Sequence, residues 1–211
     1  MTQLVKIQSF TVSSDGFGSG EGQSLEQPFG HVSPAELFAW RFQTASFSGP
    51  IGTRGIDDVL ARDMNVGIGA EIMGRNKFGP VRGPWVDEQW QGWWGDDPPF
   101  HVPVFVLTHH ARPPLTLADT TFHFVAGTPA DIVREAKAAA NGLDVRLGGG
   151  VQTNRTFLDA DLVDTLHVVV SPMVFGRGER FWTGPEELFD RFDHEEIASP
   201  SGVKHYLFWR K

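Results

Sequence analysis

The stretch Val145-Arg146-Leu147-Gly148-Gly149-Gly150-Val151-Gln152 places three consecutive glycines between a short apolar segment and an amphipathic one. This pattern predicts a strand, a tight turn and then a helix to about Ala160. Glycines allow a phosphate to approach the backbone, and the first turn of a helix offers unpaired N–H groups and partial positive charge. A purely structural turn has the same pattern, so the rest of the chain must decide between an anion site and a simple connection.

The segments around the triplet predict alternating strands and helices. Thr128-Pro129 begins an amphipathic helix that Asn141-Gly142 ends, and an apolar strand follows the triplet at Leu166 to Ser171. Strand, helix and strand in this order indicate a crossover unit with parallel strands. Further strands are predicted at Leu4 to Val12, Val66 to Met73, Val104 to Thr108, Thr121 to Ala126 and Val203 to Trp209.

A second candidate anion site is Gly74-Arg75-Asn76-Lys77, directly after the predicted strand at Val66 to Met73. It places two cations beside the predicted start of a helix. Gly69 to Asn76 also has the spacing of a P-loop, but Ala70 to Met73 is strand-like, so we reject that interpretation. The Rossmann fingerprint is absent too, and dinucleotide binding therefore requires another fold.

Composition indicates a soluble protein. The 211 residues fit a single domain spanning 1–211, and the apolar fraction of 40% is ordinary for a globular chain. A net charge of −8 gives no footprint for nucleic acid, and no apolar run has the length of a membrane span. The absence of cysteine and of a secretory signal in Met1 to Lys6 predicts a cytoplasmic location. No metal site is expected, since neighbouring His109 and His110 would point to opposite faces of a strand.

Three motifs in order carry a family resemblance. Gly74-Arg75-Asn76-Lys77, Thr108-His109 and Gly148 to Gly150 each follow a predicted strand. This order resembles the dihydrofolate reductase superfamily, including the reductase domain of riboflavin biosynthesis, in which such strand ends line the cofactor groove. The resemblance covers most of the chain and implies an α/β fold, with three α/β/α layers around a mostly parallel mixed central sheet.

The same resemblance implies NADPH as the cofactor. Arg75 and His109 would flank its 2′-phosphate and adenine end, and the backbone from Gly149 to Thr153 would hold its pyrophosphate. Lys77 departs from the family, which commonly has threonine there, by exchanging a compact hydroxyl for a long cation. A cis peptide between two of the three glycines is also implied. The cofactor-binding candidates are Gly74, Arg75, Asn76, Lys77, Thr108, His109, Gly148, Gly149, Gly150, Val151, Gln152 and Thr153.

Glu36 and Asp15 are the candidate catalytic residues. Glu36 stands at a helix start that resembles the one where dihydrofolate reductases carry an acid that assists substrate protonation. Ser33-Pro34-Ala35-Glu36 is also a capping box, which opens a helix to about Ala45 and would occupy Glu36 with the backbone. Asp15 lies in Ser14-Asp15-Gly16-Phe17, which resembles a substrate-side loop of the riboflavin branch, as Phe175-Gly176-Arg177-Gly178 resembles a post-sheet loop. Asp15 can also be a simple turn residue.

The implied function is NADPH-dependent reduction of a small heterocycle, either a pterin or a ribosylated aminopyrimidine, by a homodimer. The alternative is an NADP(H)-binding protein without turnover. The segment from Gly79 to Pro103, with Trp85, Trp90, Trp93 and Trp94, is long enough to be functional. Aromatic packing of a surface excursion, a lid over a ligand and a subunit contact remain open for it.

Overall fold

The computed structural model describes residues 2–80, 83–85 and 89–211. Met1 and residues 81–82 and 86–88 of the tryptophan-rich segment lie outside the described residues. Seven α-helices are described: α1 (Pro34–Leu37), α2 (Ala39–Phe42), α3 (Ala45–Ser48), α4 (Ile56–Arg62), α5 (Arg75–Phe78), α6 (Pro129–Ala139) and α7 (Val151–Asp159). The strands are β1 (Val5–Val12), β2 (Phe17–Ser19), β3 (Ile68–Gly74), β4 (Val104–Leu107), β5 (Leu115–Leu117), β6 (Thr120–Val125), β7 (Asp144–Leu147), β8 (Thr165–Val170), β9 (Glu179–Arg180), β10 (Phe192–Ala198) and β11 (Lys204–Arg210).

The chain forms two compact units. Unit 1 comprises residues 1–6, 24–28 and 67–164, and unit 2 comprises residues 7–23, 29–66 and 165–211. Strand β1 belongs to both, because Val5 and Lys6 lie in unit 1 and the remainder in unit 2. The mixed α/β fold with a large, mostly parallel sheet that the sequence predicts is confirmed.

In unit 1 the strand order is β7-β3-β4-β6-β5. The β7–β3, β3–β4 and β4–β6 pairs are parallel, and only the edge pair β5–β6 among these is antiparallel. Helix α6 packs against β3 and β7. It begins as predicted, with the Thr128 hydroxyl accepting a hydrogen bond from the Asp131 N–H, and it buries Ile132, Val133 and Ala136 on the sheet side.

In unit 2 the strand order is β10-β11-β8-β1, with β10–β11 and β11–β8 antiparallel. The Ser171 N–H, just past β8, donates to the carbonyl of Val12 at the end of β1, at 2.8 Å. Strands β2 and β9 form a separate two-stranded sheet. One apolar cluster contains Trp40, Ala61, Val169 and Val203.

A buried chain of polar groups, which we call the histidine chain, runs through unit 2. Its members are Ser9, His167, His205 and Asp57. The Ser9 hydroxyl lies 3.4 Å from Nδ1 of His167, and His167 Nε2 lies 2.9 Å from His205 Nδ1. Nε2 of His205 is 2.8 Å from Oδ1 of Asp57. The Trp40 ring meets the His205 ring edge-on at 5.3 Å. Each buried imidazole therefore has a hydrogen-bonding partner on both ring nitrogens.

The segment from Ser33 to Ala45 differs from the single helix that we predict. The Ser33 cap and Pro34 begin α1 as expected, but Phe38 leaves the helical region with φ −101° and ψ 14°. Leu37 before this break and Trp40 after it are both buried. The indole of Trp40 donates to the Thr11 hydroxyl at 3.1 Å. Tertiary packing therefore divides a continuous helical pattern into short pieces.

Among the described residues, no helix combines the length and the hydropathy that crossing a membrane would require.

Candidate functional site

Three of the predicted motifs lie side by side in unit 1. Parallel pairing places Ile72 opposite Leu147 and Gly74 opposite Leu107. The residues that follow β7, β3 and β4 therefore leave neighbouring strands at the same edge. Carboxyl ends of parallel strands are the usual place for a ligand in α/β sheets. Gly148 to Gly150, Arg75 to Lys77 and Thr108 with His109 are brought together there.

The glycine triplet is hydrogen-bonded to the end of β3. The Gly148 N–H donates to the Ile72 carbonyl, and the Gly74 N–H donates to the Gly149 carbonyl, both at 2.8 Å. Gly149 has φ +95°, a conformation that favours glycine. The peptide between Gly149 and Gly150 is cis, which confirms the cis peptide that the resemblance implies.

The three glycines face different surroundings. A Cβ on Gly148 would collide with Oε1 of Glu71 and lie 2.5 Å from Nζ of Lys77. A Cβ on Gly150 would meet no atom within 4 Å. The lack of a side chain at Gly148 thus makes room for an ion pair, whereas the backbone at Gly150 borders open space that a ligand can approach.

Arg75 lies in the single turn of α5, and only part of its guanidinium is hydrogen-bonded in the described structure. Nη1 donates to the Gly83 carbonyl at 3.1 Å and to the Thr108 hydroxyl at 3.3 Å. Within the described part of the chain, Nε and Nη2 are buried and have no hydrogen-bond partner. The guanidinium stacks on the Trp85 ring at 3.3 Å. Burial lowers the pKa of Arg75, and the charge of Arg112 lowers it further. An anion would satisfy both the charge and the unpaired donors.

Lys77 belongs to a buried charge cluster that also contains Glu71 and Arg146. Glu71 lies in β3 opposite Arg146 in β7 and is completely buried. Lys77 Nζ is 2.8 Å from Glu71 Oε1, and Arg146 Nε donates to Oε2 at 2.8 Å while its Nη2 contacts the same oxygen. Burial alone would raise the pKa of Glu71, but the two cations outweigh it and lower the pKa. Glu71 is therefore an anion that two cations share.

Helix α7 begins directly at the triplet, with Gly150 as its N-cap residue and no side-chain cap. Gln152 is exposed and Thr153 is buried. A Cβ on Gly74 would collide with Oγ1 of Thr153, so the helix start lies close against the end of β3. Asn154 is fully buried, and neither atom of its side-chain amide has a hydrogen-bond partner in the described structure. The uncapped first turn keeps its N–H groups available to a ligand.

Two tryptophans of the segment from Gly79 to Pro103 are hydrogen-bonded to carbonyls of α5. Trp90 Nε1 donates to the Phe78 carbonyl at 2.8 Å, and Trp93 Nε1 donates to the Lys77 carbonyl at 2.9 Å. Trp94 stacks on Phe122 at 5.8 Å. Trp90 and Trp94 pack against the core cluster of unit 1, in agreement with the aromatic-packing interpretation. Trp90 and Trp93 also cap carbonyls at the end of α5, so they help to position the residues that precede it.

Asp15 lies in unit 2, where its carboxylate organises two loops. Oδ1 accepts from the Ser13 hydroxyl at 2.6 Å and from the Phe175 N–H at 3.0 Å, and Oδ2 accepts from the Gly176 N–H at 2.7 Å. The two loops that resemble the riboflavin branch are therefore in contact. Desolvation would raise the pKa of Asp15, but these hydrogen bonds lower it below its ordinary value. Asp15 thus stays ionised.

Glu36 also lies in unit 2 and its side chain is exposed. Its backbone N–H donates to the Ser33 hydroxyl at 3.4 Å, which is one of the two hydrogen bonds of the predicted capping box. His109 is exposed as well, and Asn76 is half-buried beside Arg75.

Sequence reasoning missed Glu71, Arg146 and Asn154. A signal was available for the first two, since a carboxylate inside an apolar strand must be paired or hydrogen-bonded. Arg146 is the matching cation inside the short strand β7. Asn154 gives no such signal, because asparagine is ordinary on an amphipathic helix.

One further cluster, on the surface of unit 1, contains Asp97, His101 and Asp119, whose ligand-type atoms lie within 4.8 Å of one another. Nδ1 of His101 is 2.6 Å from Oδ1 of Asp119, and this hydrogen bond raises the pKa of His101. All three side chains are exposed, and the pairing of His101 with Asp119 accounts for the proximity of these two.

Known structures share this fold. A candidate riboflavin biosynthesis protein from Shewanella sp. PV-4 is 21% identical with a TM-score of 0.59, over 100% of this chain and 99% of that one. A pyrimidine reductase-like protein from Corynebacterium diphtheriae is 16% identical with a TM-score of 0.54, over 99% and 92%. Dihydrofolate reductase from Enterococcus faecalis, in complex with NADP(H) and RAB-propyl, is 13% identical with a TM-score of 0.51, over 99% and 96%.

The fold is therefore of the dihydrofolate reductase type. No curated protein matches the sequence. The RibD C-terminal domain family matches residues 7–198, which is most of the chain. The chain belongs to the RibD C-terminal domain family.

Proposed function

We propose that this protein is an NADPH-dependent reductase that transfers hydride to a small heterocycle of the pterin or ribosylaminopyrimidine class. The observation that carries the proposal is the edge of unit 1 where Arg75 and the glycine triplet lie at the ends of adjacent parallel strands. Family membership supports reductase chemistry, and the proteins of similar structure include a pyrimidine reductase-like protein and a dihydrofolate reductase.

The residues present fit a phosphorylated dinucleotide. Arg75 supplies a cation with two unpaired buried nitrogen atoms, and Thr108 supplies a neighbouring hydroxyl. Gly150 borders open space, and in the described structure α7 begins there without a side-chain cap. We assign Arg75, Thr108 and His109 to the 2′-phosphate end, with Gly74 and Asn76 beside them, and we assign Gly148 to Thr153 to the pyrophosphate.

The cofactor would supply the hydride, so the chain needs no nucleophile of its own. Its tasks are to bind the phosphates, to orient the reacting rings and to provide a path for one proton. Asp15 fits an orienting role, because its hydrogen bonds join the loops at Ser13 and Phe175 and its lowered pKa makes it a poor proton donor. Glu36 remains our candidate for proton delivery.

The alternative, an NADP(H)-binding protein without turnover, has one observation in its favour. A general acid at neutral pH is usually a buried carboxyl group of raised pKa, whereas Glu36 is exposed and the pKa of Asp15 is lowered. Glu36 is exposed at a helix cap, and both carboxylate oxygens of Asp15 already accept hydrogen bonds. Turnover therefore has to be tested separately from binding.

The test of binding is a titration of tryptophan fluorescence with NADPH and, separately, with NADH. Trp85 stacks on Arg75, so a ligand at the guanidinium should change its emission. Arg75→Met should weaken NADPH by about 1.5–3 kcal/mol, roughly 10- to 100-fold, and leave NADH nearly unchanged. Equal losses for both would contradict the 2′-phosphate assignment, and no binding of either by the unmodified protein would end the reductase proposal.

The test of turnover is oxidation of NADPH, followed by absorbance, with dihydrofolate and with a ribosylated aminopyrimidine as acceptors. Arg155→Met is the matched control for Arg75→Met in both tests, because Arg155 pairs with Asp159 near the far end of α7. It should leave the binding and the oxidation of NADPH unchanged. Saturable binding of NADPH without its oxidation by either acceptor would favour the binding-only alternative.

A homodimer and a cytoplasmic location also belong to this proposal. The homodimer rests on the family resemblance and the location on the absence of cysteine. Light scattering of the purified protein measures the oligomeric state directly.

A further inference from the structure

The ammonium of Lys77 lies away from Arg75, although the two residues are close in sequence. Although Lys77 lies two residues after Arg75, its ammonium does not join Arg75 at Thr108. It contacts Glu71 at 2.8 Å and lies 2.5 Å from where a Cβ of Gly148 would be. The ammonium is therefore at the first glycine of the triplet, on the β7 side of β3.

The charge cluster at this position contains two cations and one carboxylate. Lys77, Arg146 and Glu71 carry formal charges that sum to +1. Glu71 is completely buried and Arg146 nearly so, with 7% of its side chain exposed, while 30% of the Lys77 side chain is exposed. Of the three, Lys77 is the group that a ligand can reach. The position of the Lys77 ammonium is fixed by its contact with Glu71, a buried carboxylate that Arg146 also contacts.

We infer that Lys77, positioned by Glu71, binds a pyrophosphate oxygen of the dinucleotide rather than its 2′-phosphate. This inference rests on the proposed function and divides its anion site in two. Arg75 serves the phosphate that distinguishes NADPH from NADH, and Lys77 serves the pyrophosphate that both contain. Glu71 is a positioning residue, since it acts through the ammonium.

Lys77→Met separates the two assignments. This variant removes the charge and keeps most of the length, and Glu71 keeps its contact with Arg146, so the fold should persist. Affinity for NADPH and for NADH should fall by the same factor, about tenfold or more, because a charge-assisted hydrogen bond to phosphate is lost from both. Arg75→Met should instead affect NADPH alone.

Two further variants serve as controls. Lys6→Met removes a lysine of similar burial that pairs with Asp144 at the other end of β7, and both affinities should stay unchanged. Lys77→Arg keeps the charge and should recover part of the lost affinity for both cofactors.

Glu71→Gln tests the positioning role. If Glu71 acts through Lys77, the Lys77→Met change should have little further effect on binding in a Glu71→Gln background, whereas two independent effects would add. Circular dichroism checks that this variant folds. If it does not fold, the Lys77 variants alone decide the inference.

The outcomes distinguish this inference from the proposed function. Selective loss of NADPH in Lys77→Met would move Lys77 to the 2′-phosphate and overturn the inference. Unchanged binding of both cofactors would also overturn it, while the reductase proposal would stand on Arg75. If the unmodified protein bound neither cofactor, both would fall together.

Discussion

At the scale of single residues, the glycines of the site have separate tasks. Gly74 has φ −77°, which any residue can adopt, so its backbone does not require glycine. What requires glycine is Thr153, whose Oγ1 would collide with an added Cβ. The close approach of α7 to the end of β3 depends on this missing methyl group.

Gly74→Ala should therefore destabilise the protein by about 1–3 kcal/mol, the usual cost of overpacking. Thr153→Ala should restore most of that loss in the double variant, because it removes the colliding oxygen and leaves Thr153 Cβ 3.6 Å from the new methyl group. Urea denaturation of both single variants and the double variant measures the coupling. Additive losses would show that the collision is relieved elsewhere.

Glu71 shows what a sequence can and cannot disclose about a site. Its presence in an apolar run signals a buried pair, and Arg146 is a visible partner. The involvement of Lys77 is not visible, because two residues after Arg75 it would be expected to share the same ligand. Only the paths of the side chains separate the two cations.

At the scale of elements, the histidine chain of unit 2 predicts a pH dependence. Desolvation, with a smaller contribution from the charge of His205, lowers the pKa of His167 to about 3. The unfolded chain binds the proton more readily, since free histidine titrates near 6.5. Stability is therefore present in full above pH 6.5 and is lost as the pH falls toward 3, by about 1.4 kcal/mol for each pKa unit of difference.

His167→Gln removes the titrating group and should flatten the decline of unfolding free energy between pH 7 and pH 4.5. Carboxylates also titrate in this range, so the comparison is between the two slopes. Urea denaturation at several pH values gives both. Identical slopes would mean that His167 keeps its ordinary affinity for protons in the folded protein.

Most elements follow from local sequence pattern, and the exceptions have physical causes. The strands predicted to begin at Val66, Val104, Thr121 and Val145 are all present, each within two residues of its predicted start. Strand β10 does not follow from the pattern, since Asp193 to Glu196 is polar and exposed. Such residues are typical of an edge strand that pairs on one side only. The break at Phe38 arises from packing that no local pattern contains.

At the scale of the whole molecule, the prediction of a single domain implies that the chain unfolds cooperatively. Strand β1 runs without interruption from unit 1 into unit 2. Unfolding either unit would leave part of this strand without its neighbours, because two of its eight residues belong to unit 1 and six to unit 2. We therefore expect both units to unfold in one transition.

Tryptophan fluorescence and far-ultraviolet circular dichroism should give coincident denaturation curves. Trp85, Trp90 and Trp94 report on unit 1, and Trp40 and Trp182 report on unit 2, so fluorescence samples both. Two resolved steps would show that the units are separate domains.

The shared carboxylate of Glu71 also constrains the order in which this site can change during evolution. A lineage that first replaces Lys77 with threonine loses the ion pair between Lys77 and Glu71 but keeps the contact between Glu71 and Arg146. A lineage that first loses Glu71 leaves Lys77 and the buried Arg146 as neighbouring cations without the carboxylate that they share. Because removing one partner of a buried ion pair is strongly destabilising, we expect the first order of change to be tolerated more readily than the second.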